Sequence, residues 1–215
     1  MHEPSNEPPH PVLTRRHFLT DATAAAAALY GVAALSPGAA PAAAQVSGPQ
    51  AKPKWDMSWV ERLTSPHRAV FDSPEIAGGD ALGHVMTVRG GYKEVYGPDT
   101  DFQAVLVMRA SGVRLAFNDT LWQKYKLNDQ LKIPGNGNPH LSMLAMLQNN
   151  GVILLACNLA ATWYAQQMAV QAGADVRATV EEVRINLAPG VTLMPSGIFA
   201  TIRAQEAGCQ LLKSS

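Results

Sequence analysis

The chain has 215 residues with 17 basic and 17 acidic side chains, so it carries no formal net charge and no basic run that could neutralise phosphates; nucleic-acid binding is excluded from the expected functions. Its two cysteines, Cys157 and Cys209, form no Cys-x-x-Cys, and no histidine pair has metal-ligand spacing. A metal centre, a haem site or any other cofactor is therefore not expected.

The first 44 residues read as a targeting segment. Thr14-Arg15-Arg16-His17-Phe18-Leu19 followed by the Ala-rich run from Ala22 to Leu35 resembles a twin-arginine export signal, and Ala42-Ala43-Ala44 before Gln45 supplies a small-residue cleavage site. The apolar run is too short and too weakly hydrophobic for a membrane span. The expected product is a periplasmic protein, delivered by the twin-arginine translocase, without a stable membrane span. Removing residues 1–44 leaves 171 residues with 15 basic and 14 acidic side chains, enough chain for one domain with a full core. Residues 45–66, with Trp55 and Trp59, are expected to form an extended arm whose aromatics cover the domain that occupies 67–215.

Within that domain His67 to Asp72 predicts a first strand. Ile76 to Tyr96 predicts a helix, interrupted at Arg89-Gly90-Gly91. Phe102 to Met108 is a second strand with Arg109 at its carboxyl end. Asn118 offers an N-cap for the segment from Thr120 to Tyr125. A loop from Ile133 leads to a helix opening at Pro139. Gly151 to Cys157 is a short, uninterrupted apolar run, the pattern of a strand covered on both faces, and it ends on a thiol. A helix from Ala160 to Ala172 follows, then a shorter one from Thr179 to Leu187 with Thr179-x-x-Glu182 as a weak capping box. Val191 to Met194 is a fourth strand, Ser196-Gly197 turns into a helix from Ile198 to Ala207, and Cys209 to Leu212 is the last strand. Such alternation predicts an α/β fold with a parallel sheet between helices.

In such a sheet, chemistry gathers at the carboxyl strand ends, where Cys157 stands. The helix after it presents unpaired N–H groups and a positive dipole end, which favour the charged thiolate that a nucleophile or sulfur carrier uses. A thiol in this place is equally a small buried hydrophobe. Arg109, Asn118, Asn158 and Ser196 also fall at or just after carboxyl strand ends and could together hold an anion; taken singly, the plainer reading is capping for Asn118, Asn158 and Ser196 and a solvated salt bridge for Arg109. Cys209 lies at the amino end of its strand. With parallel strands it should stand roughly 15–20 Å from Cys157, too far for a disulfide.

The run Gly151-Val152-x-x-x-Ala156-Cys157-Asn158, the Leu-rich helix before it, the Met194 to Gly197 segment and the Ala-Gly-x-x-Leu ending resemble the DsrE/DsrF-like family, over His67 to Lys213. The resemblance implies a three-layer α/β/α sandwich with a five-stranded parallel sheet, assembly into trimers or hexamers, and a cysteine at the Cys157 position that accepts persulfide sulfur from a small sulfur species or a donor protein. The rival expectation is a non-catalytic oligomeric binding protein with a packed Cys157. A hydrolase or cofactor-dependent oxidoreductase has no motif in its support.

The export reading makes a direct prediction. Replacing Arg15 and Arg16 together by Lys should leave unprocessed precursor in the cytoplasm, because Lys does not reproduce the guanidinium fork; cell fractionation with an antibody to the chain checks it.

Overall fold

Five short apolar runs become strands: β1 (His67–Ser73), β2 (Phe102–Met108), β3 (Ile153–Cys157), β4 (Val191–Met194) and β5 (Gln210–Lys213). All pair in parallel, in the order β4-β3-β2-β1-β5. The computed structural model that shows this describes residues 55–214; the export segment, its cleavage site and the start of the arm lie outside the described residues.

The three central strands are almost wholly buried, as their continuous apolarity predicts, whereas edge strand β5 is largely exposed. Among the described residues seven α-helices join and cover the strands. They are α1 (Asp80–Tyr96), α2 (Asp119–Lys124), α3 (Leu127–Leu131), α4 (Leu141–Asn149), α5 (Asn158–Ala172), α6 (Val176–Ile185) and α7 (Gly197–Glu206).

Parallel crossovers are right-handed, and this decides which face each helix covers. The steps β1→β2, β2→β3 and β3→β4 all move one place in the same direction, so their helices share a face. There Phe71, Leu106 and Leu154 pack with Leu82 and Val85 of α1, Leu144 and Leu147 of α4, Ala165 and Met168 of α5 and Val183 of α6. The step β4→β5 runs back across the sheet, so α7 lies on the opposite face. Ala200 and Ala204 of α7 meet Val70, Val105, Val107, Ile153 and Leu155 there. The result is a three-layer α/β/α sandwich with an all-parallel sheet, as expected.

One helix cannot cover that second face alone. The remainder is filled from the arm: a 3-10 turn at Ser58–Val60 places Trp59, 1% exposed, and Leu63 in the same cluster. The Trp59 indole N–H donates to Met194 Sδ at 3.2 Å. The arm's second aromatic thus belongs to the core.

Local signals explain most element ends. Gly78 and Gly79, at φ 66° and 91°, carry a 3-10 turn into α1. Gly90 and Gly91 lie inside α1, which runs through the expected interruption. Asn118 caps α2, accepting from the Leu121 N–H at 3.2 Å. The weak capping box at Thr179 is corrected: α6 starts earlier, and its cap is Asp175, which accepts from the Ala178 N–H at 2.7 Å. The helix expected from Pro139 opens at Leu141, after buried Asn138 ties the turn to the carbonyls of Leu115 and Phe117 at 2.8 and 2.7 Å. Helix α3 was not anticipated; Lys126 and Lys132, both at left-handed φ, bound its five residues.

Trp59→Ala should cost about 3–5 kcal/mol, the usual range for removing a fully buried aromatic, whereas Trp163→Ala on the half-exposed side of α5 should stay within about 0.5 kcal/mol. Urea unfolding of the two variants checks the difference.

Candidate functional site

The crossover from β3 leaves toward one face and that from β4 toward the other, so the sheet has its topological switch point between Cys157 and Met194, which are register partners. Three chemically distinct side chains converge there. Residues alternate faces along a strand, so Asp72, Arg109 and Cys157 share the parity of Val70, Val107 and Leu155, the α7 side. The β2–β3 register pairs Met108 with Ala156, and the next step sets Arg109 beside Cys157.

Cys157 is the N-cap of α5. Its Sγ accepts from the Ala160 N–H at 3.4 Å, satisfying one of the otherwise open donors of the first turn. The residue is 6% exposed. Cys209 is also a free, buried thiol, and burial pushes its pKa up. It immediately precedes β5, at the amino end of the sheet. The two thiols therefore stand at opposite ends of the strands, as expected.

Arg109 is not a solvated cation. Its Nε and Nη2 donate to Oδ1 and Oδ2 of Asp72, both at 2.6 Å, a bidentate pair whose side chains are 28% and 12% exposed. Hydrogen bonding to Asp72 raises the guanidinium pKa, against a smaller opposing effect of burial, and the nearby Cys157 thiol adds in the same direction. The aliphatic stem is clamped from above: a Cβ on Gly197, the first residue of α7, would come within 2.5 Å of the Arg109 Cβ. Glycine is what lets α7 start this close to β2. Beyond the pair, the Arg109 Nη1 makes no hydrogen bond among the described residues.

The other three expected site residues each make a side-chain hydrogen bond of their own. Ser196 caps α7, accepting from the Phe199 N–H at 3.1 Å. Asn118, besides capping α2, donates to the Asn186 side chain at 3.2 Å. Asn158 is the first residue of α5, and its side-chain oxygen accepts from Arg184 Nε at 3.2 Å. The structure thus brings together Cys157, Arg109 and the Ser196-Gly197 turn, and turns Asn118 and Asn158 to α2, Asn186 and α6.

Two features escaped the sequence. Asp72 read only as the last residue of the first strand, although a carboxylate at a carboxyl strand end is a signal in itself. The second is a pocket of about 260 Å³ lined by Ala110, Ser111, Ala160, Trp163 and Tyr164. Ala110, which directly follows Arg109, holds a left-handed φ of 44°, a strain of the kind that collects around functional sites. Among the described residues no cluster of His, Cys, Asp or Glu could hold a metal ion, and no helix is long and apolar enough to cross a membrane.

No protein-family model matches this chain, and no curated protein matches it. Among solved structures the chain is similar to a protein of unknown function, MTH1491 from Methanobacterium thermoautotrophicum, with 18% identity and a TM-score of 0.40 over 68% of this chain and 98% of that one. That likeness is distant and brings no activity or site residue with it.

Because the Asp72–Arg109 pair is mostly withdrawn from water and doubly hydrogen-bonded, Asp72→Asn should cost about 1–3 kcal/mol. Urea denaturation checks this, and a loss below about 0.5 kcal/mol would mean that the pair is no more than a surface contact.

Proposed function

We propose that the mature chain is a periplasmic sulfur carrier, related to the DsrE-like proteins it resembles, in which Cys157 accepts sulfane sulfur. The observation that carries the reading is the placement of the Cys157 Sγ. It sits at a strand tip, at the switch point of the sheet, against a helix N-terminal amide, with a guanidinium in the neighbouring strand. The proposed exchange is balanced by the donor alone. The Cys157 sulfur attacks the outer sulfur of a donor R–S–S⁻, the donor's S–S bond breaks, and the leaving R–S⁻ takes up the thiol proton as R–SH. Cys157 is left as Cys–S–S⁻. No oxidant, metal or organic cofactor enters. The Arg109 Nη1 and the amides of the α5 first turn stabilise the terminal sulfur anion.

In this reading the protein acts as an acceptor and carrier, assembles as a trimer or hexamer, and reaches the periplasm by the twin-arginine route. A second reading is favoured by the burial of Cys157: an oligomeric binding protein of the same fold whose thiol only fills a strand end.

Intact mass of the mature protein after exposure to polysulfide separates the two. Wild type should gain the mass of one or more sulfur atoms, removable by dithiothreitol and mapped to Cys157. Cys157→Ser should fold normally and gain none at that position, and Cys209, its thiol held neutral by burial, should label only on unfolding. An unshifted wild-type mass, or loading that survives in Cys157→Ser, overturns the carrier reading and leaves the packed thiol.

A further inference from the structure

A pocket on the α5 side of the sheet, opposite the α7 side whose parity Cys157 and Arg109 share, comes close to the thiol at two points. Ala160 lines it and also donates its N–H to the Cys157 Sγ at 3.4 Å, and Ala110 lines it one residue after Arg109. Its walls are aromatic and held in place before any ligand arrives. Trp163 and Tyr164 meet edge to face, with ring centroids 4.7 Å apart at 88°. The Arg114 guanidinium lies over the Tyr164 ring at 4.5 Å, fixing that ring from the other side. Trp163 is nonetheless 53% exposed, and Leu159, one turn earlier, is exposed as well. A large indole half open at the mouth of a pocket leaves apolar surface uncovered among the described residues.

The polar side of the ledger is short. Ser111 brings the one side-chain hydroxyl other than the tyrosine's, and its Oγ donates to the Pro74 carbonyl at 3.2 Å. Asp72 neutralises Arg109 and takes two of its nitrogens, so the thiol faces a pair without net charge and one uncommitted nitrogen. A doubly charged oxoanion such as thiosulfate finds no net positive charge here, and among the side chains of the pair a single free donor. A single sulfur anion needs only one donor. At about 260 Å³ the pocket is below the usual range for drug-sized ligands and suits one ring or a short alkyl chain.

We propose that this pocket is the subsite for the organic group of the sulfur donor, and that the donor class is a low-molecular-weight organic persulfide R–S–S⁻ in which R is apolar and no larger than a single ring. The inference rests on the carrier reading for its chemistry, but the pocket itself can be tested without sulfur transfer. R packs against Trp163 and Tyr164, the outer sulfur meets the Cys157 Sγ, and Trp163 determines specificity while Asp72 sets the charge that the site tolerates.

The test has two arms. In the first, benzyl thiol is titrated into Cys157→Ser while tryptophan fluorescence is followed. Saturable quenching is expected, and it should be absent from Cys157→Ser/Trp163→Ala. In the second, loading of Cys157 is timed with benzyl hydropersulfide and with inorganic polysulfide. Wild type should prefer the benzyl donor, and Trp163→Ala should lower the ratio of the two efficiencies about tenfold, with Trp163→Phe retaining most of the preference. Absence of saturable binding in the first arm overturns the subsite. So does a wild-type preference for polysulfide, or a ratio that Trp163→Ala leaves unchanged. Benzyl thiol binding without loading from either donor upholds the subsite and overturns the carrier chemistry.

Discussion

The right-handedness of parallel crossovers is the constraint from which the rest of this molecule follows. Three consecutive strands are laid down in one direction, and the helices between them have no choice but to share a face. The chain then runs out of sheet on that side, and its last crossover must return to the far edge beyond β1, which places α7 on the other face. The direction of exit changes between β3 and β4. Cys157 stands at that point because the apolar run that makes β3 ends there, and the helix that must follow begins with its amides toward the thiol.

The same constraint leaves the α7 face short of cover, and two devices make up the difference. One is the arm: Trp59 supplies the apolar area that a second helix would otherwise provide, and its N–H is satisfied by Met194 Sδ. The other is Gly197, whose missing side chain lets α7 settle against the stem of Arg109. With the stem trapped below α7, the guanidinium has little freedom, and Asp72 on the adjacent strand receives it in bidentate geometry. A charged pair at the rim of a hydrophobic layer is costly to desolvate, so its two short hydrogen bonds are what make it tolerable. The consequence for chemistry is a positive group fixed beside the thiol and already neutralised, a setting different from the open anion cradle that a row of strand-end residues suggests.

Strand existence and direction were legible because continuous apolar runs have few other uses in a chain of this length; β2 and β4 coincide with the expected spans to the residue. Helix ends were legible where a Ser or Asn stood at the cap, as at Asn118 and Ser196. They were missed where the cap preceded the apolar pattern, as at Asp175, or where left-handed lysines bounded a single helical turn, as at α3. Of the site, the thiol and Arg109 could be read from position alone. Pairing could not: Asp72 is 37 residues from Arg109, and nothing in either local stretch announces the other. The pocket was illegible for a similar reason. Trp163 falls inside the expected helix from Ala160 to Ala172, and only the packed α5 shows that it points outward while its neighbour Tyr164 is held under Arg114.

The arm and the site are also connected through a single residue. Met194 receives the Trp59 N–H on one side and is the register partner of Cys157 on the other, so the residue that closes β4 is shared between the α7-side core and the switch point. Loss of the arm would strip apolar cover from the strand that borders the thiol and leave Met194 facing water. The folded domain therefore includes the arm ahead of β1.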